Sequence, residues 1–86
     1  MTERPTITVY TRVGCHLCDD AIALVRQVAA DRAHVEVVDI DTDPQLVARY
    51  TVRVPVIAVD GVEIADYQIA RDQLESALAR SNESQL

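Results

Sequence analysis

The sequence contains no lysine, tryptophan or phenylalanine, only two glycines and only two cysteines. Each shortage excludes something. Without Trp or Phe, Val, Ile, Leu and Ala must fill the core, and 49% of the residues are hydrophobic. A chain of 86 residues is expected to form one domain, 1–86, with 81–86 as a flexible tail. No apolar run approaches the ~20 residues of a membrane span. With 14 acids against eight cations, all arginine, the formal charge is −6. That balance argues against nucleic acid and against anionic membranes as partners. The opening Met1-Thr2-Glu3-Arg4-Pro5 has no signal-peptide character, so a reducing, cytoplasmic compartment is expected. A lysine-free, Ala- and Val-rich composition resembles the product of a GC-rich genome.

What the chain does have is concentrated. Both cysteines fall in Val13-Gly14-Cys15-His16-Leu17-Cys18, directly after a short apolar strand. Two thiols spaced this way on the first turn of a helix can close into a small disulfide and reopen. A thiol at a helix N-terminus also ionises more easily than a free one. Zinc would need about four ligands. The only other nitrogen donors of that kind are His16, wedged between the thiols, and His34, a whole helix away. A metal shared between two copies stays open. A purely structural staple would do little, because so short a loop removes little entropy from the unfolded chain.

Thr6 to Tyr10 alternates and is rich in β-formers, so it reads as a first strand. From Cys15 to about Ala30, Leu17, Ala21, Leu24, Val25 and Val28 recur at helical spacing. Val35 to Ile40 reads as a second strand. Asp43-Pro44 then supplies a cap and a first-turn proline for a short helix to about Tyr50. Val56–Val59 and Val62–Ile64 flank Asp60-Gly61, a strong hairpin signal. A last helix is expected from about Gln68 to Arg80. The fold class is therefore α/β in the order β-α-β-α-β-β-α: a four-stranded mixed sheet flanked by three helices, with the thiols at the C-terminal end of the first strand. Asp39, Asp41 and Asp43 alternate like the opening of a calcium loop. That loop requires Gly and Glu where this chain has Pro44 and Tyr50, so the acids read as strand-end and cap residues.

The segment Tyr10 to Cys18, the acidic Val38-Asp39-Ile40-Asp41, Arg53-Val54-Pro55-Val56 and Asp60-Gly61 together resemble a glutaredoxin-like protein of the thioredoxin-fold superfamily. The similarity runs from Thr6 to about Arg80. The His-Leu interior of the motif is similar to a bacterial branch of small glutaredoxin-like proteins; ordinary glutaredoxins usually carry Pro-Tyr there. The resemblance implies a disulfide oxidoreductase in electron transport and redox homeostasis, with Cys15 as nucleophile and Cys18 as resolving thiol. It implies a cis Val54-Pro55 bond facing the thiols, with the Val54 backbone binding substrate. Arg12 stands where glutaredoxins often carry a lysine that assists the thiolate or contacts glutathione. His16 adds positive charge beside Cys15 whenever it is protonated, whereas Asp19, one turn on, opposes ionisation.

The departures bear on the ligand. Glutaredoxins usually hold the γ-glutamyl end of glutathione with a Gly-Gly pair and an Asp after the hairpin. This chain reads Ile64-Ala65-Asp66-Tyr67, and Leu17 replaces the motif's aromatic. Asp66 remains a candidate for that role, and Arg12, Arg49 and Arg53 are candidates to meet a ligand carboxylate. The expected partners are a disulfide-containing protein substrate and a thiol reductant, glutathione or another, or a thioredoxin-type reductase. No tightly bound cofactor is expected, and a monomer is. The alternative is a redox-sensing or metal/Fe–S-binding module of the same fold without turnover.

Overall fold

The computed structural model describes residues 4–50, 53–66 and 68–84. Strand β1, Thr6–Thr11, alternates as its sequence requires, and Ile7 and Val9 are fully buried on one face. Helix α1, His16–Ala29, begins one residue later than expected because Cys15 takes extended dihedrals and acts as its cap. Ala21, Val25, Val28 and Ala29 form its buried stripe. The helix stops at Ala30, whose φ is 45° and whose N–H donates to the Arg26 carbonyl at 3.0 Å. Arg32 returns to bond the Val28 carbonyl at 2.7 Å, satisfying one more acceptor at this end.

Strand β2, His34–Asp39, lies parallel to β1, from Thr6 opposite His34 to Thr11 opposite Asp39. Ile40, expected as its last residue, instead opens a short 3-10 turn over Ile40–Thr42. The Asp39 carboxylate caps that turn by accepting from the Asp41 N–H at 2.9 Å. Asp43 does the same for Gln45 at the start of α2, Pro44–Tyr50. Two of the three alternating acids are thus helix and turn caps.

Strand β3, Val56–Val59, is buried at all four positions. It lies inside a sheet of order β2-β1-β3-β4, antiparallel to both neighbours. Asp60 (φ 51°) and Gly61 (φ 84°) make the expected two-residue turn, a geometry that a β-branched residue would resist. The Asp60 carboxylate also accepts from the Thr6 N–H at 3.0 Å, tying the turn to the start of β1. Strand β4, Val62–Asp66, runs two residues past the expected Ile64, with an irregularity opposite Ile57 and Ala58.

Helix α3, Arg71–Ser84, differs from the expected Gln68–Arg80 at both ends. Its start is delayed because Gln68 bonds back to the Asp66 carbonyl and the Gln73 side chain caps the Ala70 N–H at 2.9 Å. It continues past Arg80 because Ser81-Asn82-Glu83 contains neither glycine nor proline to stop it. Of the expected tail, 85 and 86 lie outside the described residues. So does Tyr67.

Two clusters cover the sheet. On one face Ile7, Val9 and Ile57 meet Val25 of α1 and Leu74 and Leu78 of α3. On the other, Ile40, Tyr50 and Val56 gather Tyr10, Leu46, Val47 and Val54 around α2. Two helices against one face and one against the other leave one end of the sheet open to loops. The thiols sit there.

Candidate active site

Register decides what meets at that end. Tyr10 pairs with Val56, Val56 with Asp66, and Thr11 with Asp39. Three segments distant in sequence therefore leave the sheet side by side: Arg12–Cys15 after β1, Arg53–Pro55 before β3, and 68–70 after β4.

Cys15 and Cys18 are joined as a disulfide, with their Cα atoms 5.2 Å apart, a separation that suits the bond. Their environments differ. Cys18 is fully buried in the first turn of α1, while Cys15 is half-buried at the cap and reachable from solvent. The Cys15 sulfur accepts the Cys18 backbone N–H at 3.1 Å. A helix start leaves such N–H groups without helical partners, and here one is aimed at sulfur. On reduction the same donor would stabilise negative charge on Cys15. His16 and Asp19, the two charge-bearing neighbours weighed from the sequence, both lie on exposed positions of the turn.

Val54-Pro55 is a cis peptide bond, as the resemblance implied, and Pro55 is fully buried. Arg53, just before it, is held on β4. Its guanidinium donates to Glu63 at 2.6 Å and Asp66 at 3.2 Å, and its backbone N–H donates to the Tyr50 carbonyl at 2.9 Å. Tyr50 stacks on Tyr10 with ring centroids 4.5 Å apart, and Arg49 and Arg53 approach its ring at 5.5 and 5.7 Å. Hydrogen bonding from Arg53 holds the Glu63 carboxyl below its usual range against the opposing effect of burial. Burial, followed by the charge of Tyr10, pushes the Tyr50 hydroxyl upward.

These contacts bear directly on the candidates for an anionic ligand. Arg12 reaches across to Asp41, with Nη2 at 3.0 Å and Nε at 3.2 Å. Asp66, the candidate for a ligand's amino end, is engaged by Arg53. Arg49 stands 4.0 Å from Glu63 and is largely exposed. Cations and carboxylates at this end thus pair with each other. Leu17 is 40% exposed and Val13 88%, so apolar side chains stand on both sides of Cys15. Sequence reading missed the tyrosine stack and the Arg53 clamp. The one signal for either was the clustering of Arg49, Tyr50 and Arg53 just ahead of the proline. Among the described residues, no group of three or more His, Cys, Asp or Glu side chains is placed to hold a metal ion. No described helix is long and apolar enough to cross a membrane.

Residues 6–79 match the family described as Glutaredoxin-like domain (DUF836). The chain belongs to that family. Its glutaredoxin-like domain is similar to the solution structure of protein Ne2328 from Nitrosomonas europaea, at 31% identity and a TM-score of 0.76, covering 90% of this chain and 94% of that one. It is also similar to structural genomics target XcR50 from X. campestris, at 35% identity and a TM-score of 0.72, covering 86% and 96%. A mutant thioredoxin from Halobacterium salinarum superposes with a TM-score of 0.67 at 21% identity over 91% of this chain and 74% of its own, a likeness of fold alone. No curated protein gives a significant match. The expected thioredoxin-like fold and the glutaredoxin-like assignment are both met, and a redox-type CxxC function goes with them.

Proposed function

We propose that this glutaredoxin-like protein is a cytoplasmic, monomeric thiol–disulfide oxidoreductase that reduces disulfides of proteins or small molecules through Cys15 and Cys18. The observation that carries the reading is the asymmetry of the pair: one sulfur accessible and bonded to a helix-start N–H, the other enclosed. Such a donor favours thiolate over thiol, and thiolate is the attacking species.

In the forward reaction the Cys15 thiolate attacks one sulfur of the substrate disulfide. The Cys15–substrate S–S bond forms as the substrate's own S–S bond breaks, and the first substrate sulfur leaves as thiolate. Cys18 then loses its proton and attacks the Cys15 sulfur. The mixed disulfide breaks, the Cys15–Cys18 bond forms and the second substrate sulfur leaves. Two electrons pass to the substrate, whose thiolates take up two protons. A low-molecular-weight thiol, in two equivalents, or a dithiol reductase returns the pair to the reduced state. Val54 and Pro55 lie at the same sheet end, and the Val54 backbone is the surface proposed to align an extended substrate strand. Arg12, His16 and Leu17 frame the same opening, and Asp66 acts through Arg53.

Turnover tests the assignment. Protein, a disulfide substrate and NADPH are combined either with glutathione and its reductase or with thioredoxin reductase. NADPH consumption that disappears in Cys15→Ser supports the oxidoreductase. Stoichiometric oxidation without turnover under every reductant supports the sensing or metal-binding module. Cys18→Ser is expected to retain mixed-disulfide formation; loss of that first step in both variants would contradict the roles given to the two sulfurs.

A further inference from the structure

A groove of about 490 Å³ runs from the redox motif along the seam between α1 and the start of α3. Its apolar lining is Leu17, Ala21, Leu24, Ile69 and Ala70, and its polar lining includes Asp20, the one ionisable side chain among them. Leu17 belongs both to this groove and to the motif, so one end of the groove reaches the segment that carries the sulfurs. Val13, two residues before Cys15, is a further exposed apolar side chain of the motif segment. A second, larger groove of about 580 Å³ lies at the hairpin turn, at the far end of the sheet from the sulfurs.

Charge gives the groove by the thiols a direction. Asp20 lines it, and Asp19, the preceding residue of α1, is exposed. Among the described residues no arginine lines it. Arg71, adjacent in sequence to Ala70 of the lining, is turned to the Gln27 side chain at 2.8 Å. Arg12 and Arg53 are held by Asp41 and by Glu63 and Asp66. A tripeptide thiol with two carboxylates and one ammonium would place its ammonium against Asp20, but no arginine of the lining would meet either carboxylate. A polypeptide with an apolar side chain would cover Leu17, Leu24 and Ile69, and a cation on it would face Asp20.

We propose that this groove seats the chain around the target half-cystine of a substrate protein and selects an apolar side chain with an arginine or lysine next to it. This rests on the oxidoreductase reading above. Leu17 and Asp20 are then specificity residues, separate from the exchange chemistry of the two sulfurs.

The test uses the reduced full-length protein and four disulfides: peptides flanked by Leu and Arg, by Leu and Glu, and by Gly and Arg, and glutathione disulfide. Hydroxyethyl disulfide serves as a substrate without flanks. Formation of Cys15–Cys18 is followed by acid quench and mass spectrometry. The Leu/Arg peptide should outrun Leu/Glu by about five-fold at low salt, a ratio that shrinks as salt rises. It should outrun Gly/Arg by about ten-fold through the area covered on the groove. Asp20→Asn should remove most of the first ratio and leave the second; Leu17→Ser should reduce the second and leave the first. Equal rates for the three peptides in the wild-type protein would overturn the proposal, as would glutathione disulfide matching Leu/Arg, or an Asp20→Asn variant with an unchanged first ratio. Reduction of hydroxyethyl disulfide without any flank preference would remove the groove assignment alone. Failure to oxidise with any of the disulfides would remove the oxidoreductase reading with it.

Discussion

Replacing Tyr50 by alanine is the perturbation whose cost can be worked most directly from the structure. Tyr50 is 3% exposed, at the end of α2, and holds together the cluster on its face of the sheet. Truncating a buried aromatic of this size costs about 3–5 kcal/mol. Its stack on Tyr10, at 4.5 Å between centroids and 27° between planes, accounts for about 1 kcal/mol beyond the area covered. A small domain has only about 5–15 kcal/mol in hand. The midpoint of thermal unfolding should therefore fall by roughly 15–30 °C. Urea titrations of the wild type, Tyr50→Ala, Tyr10→Ala and the double variant, followed by circular dichroism, close a cycle that isolates the stack. The coupling should come out near 1 kcal/mol. Tyr50→Phe keeps the packing and loses only the hydroxyl bond to Glu63, so its loss should be about 1 kcal/mol. A Tyr50→Ala cost below about 1 kcal/mol, against the several expected for a buried ring, would refute the view that α2 is anchored through this residue. Strict additivity would refute the stack alone.

Three further outcomes are expected. Ala30, at φ 45° and ψ −114°, sits where a Cβ is disfavoured and is exposed, so Ala30→Gly should raise stability to urea by about 0.5–1 kcal/mol; a loss would show that the helix end relaxes without cost. Because Arg53 holds the folded Glu63 carboxyl below its ordinary 4.5, that contribution to stability is full above this value and is lost as pH falls through the lowered folded value. In Glu63→Gln the acid limb of unfolding should flatten, and an unchanged limb would exclude the pairing as its source. Asp41→Asn leaves the Arg12 charge uncompensated three residues before Cys15. Alkylation of reduced Cys15 by iodoacetamide at neutral pH should quicken by about two-fold, and no change would mean that Arg12 does not act on the sulfur.

The path from sequence to fold was shortest where one residue type settles local geometry. Asp60-Gly61 announced its turn through positive φ, Pro44 its helix start, and the alternation of Ile7 and Val9 the buried face of β1. The ends of elements were harder to read. Ile40 has the side chain of a strand residue, yet the Asp39 carboxylate captures the Asp41 N–H and turns the chain one residue sooner. The start of α3 depends on the Gln73 side chain reaching back to Ala70, a contact that no periodicity reveals. At the site, spacing located both sulfurs and the proline, because backbone position alone sets their roles. The partners of the arginines were not legible: Arg12 meets Asp41, 29 residues on, only because β1 and β2 run parallel. Arg53 meets Asp66 only because β3 and β4 fold back at Gly61. Two of the three arginines counted in sequence as available to a ligand, Arg12 and Arg53, are committed within the chain once strand register is known.

The unequal exposure of the two sulfurs also sets an order of events. An oxidant or foreign thiol arriving from solvent meets residue fifteen first, and a sulfenic acid or mixed disulfide left there stands next to a protected neighbour able to displace it. Damage and turnover thus enter by one door, and the sulfur behind it is kept in reserve to clear the way.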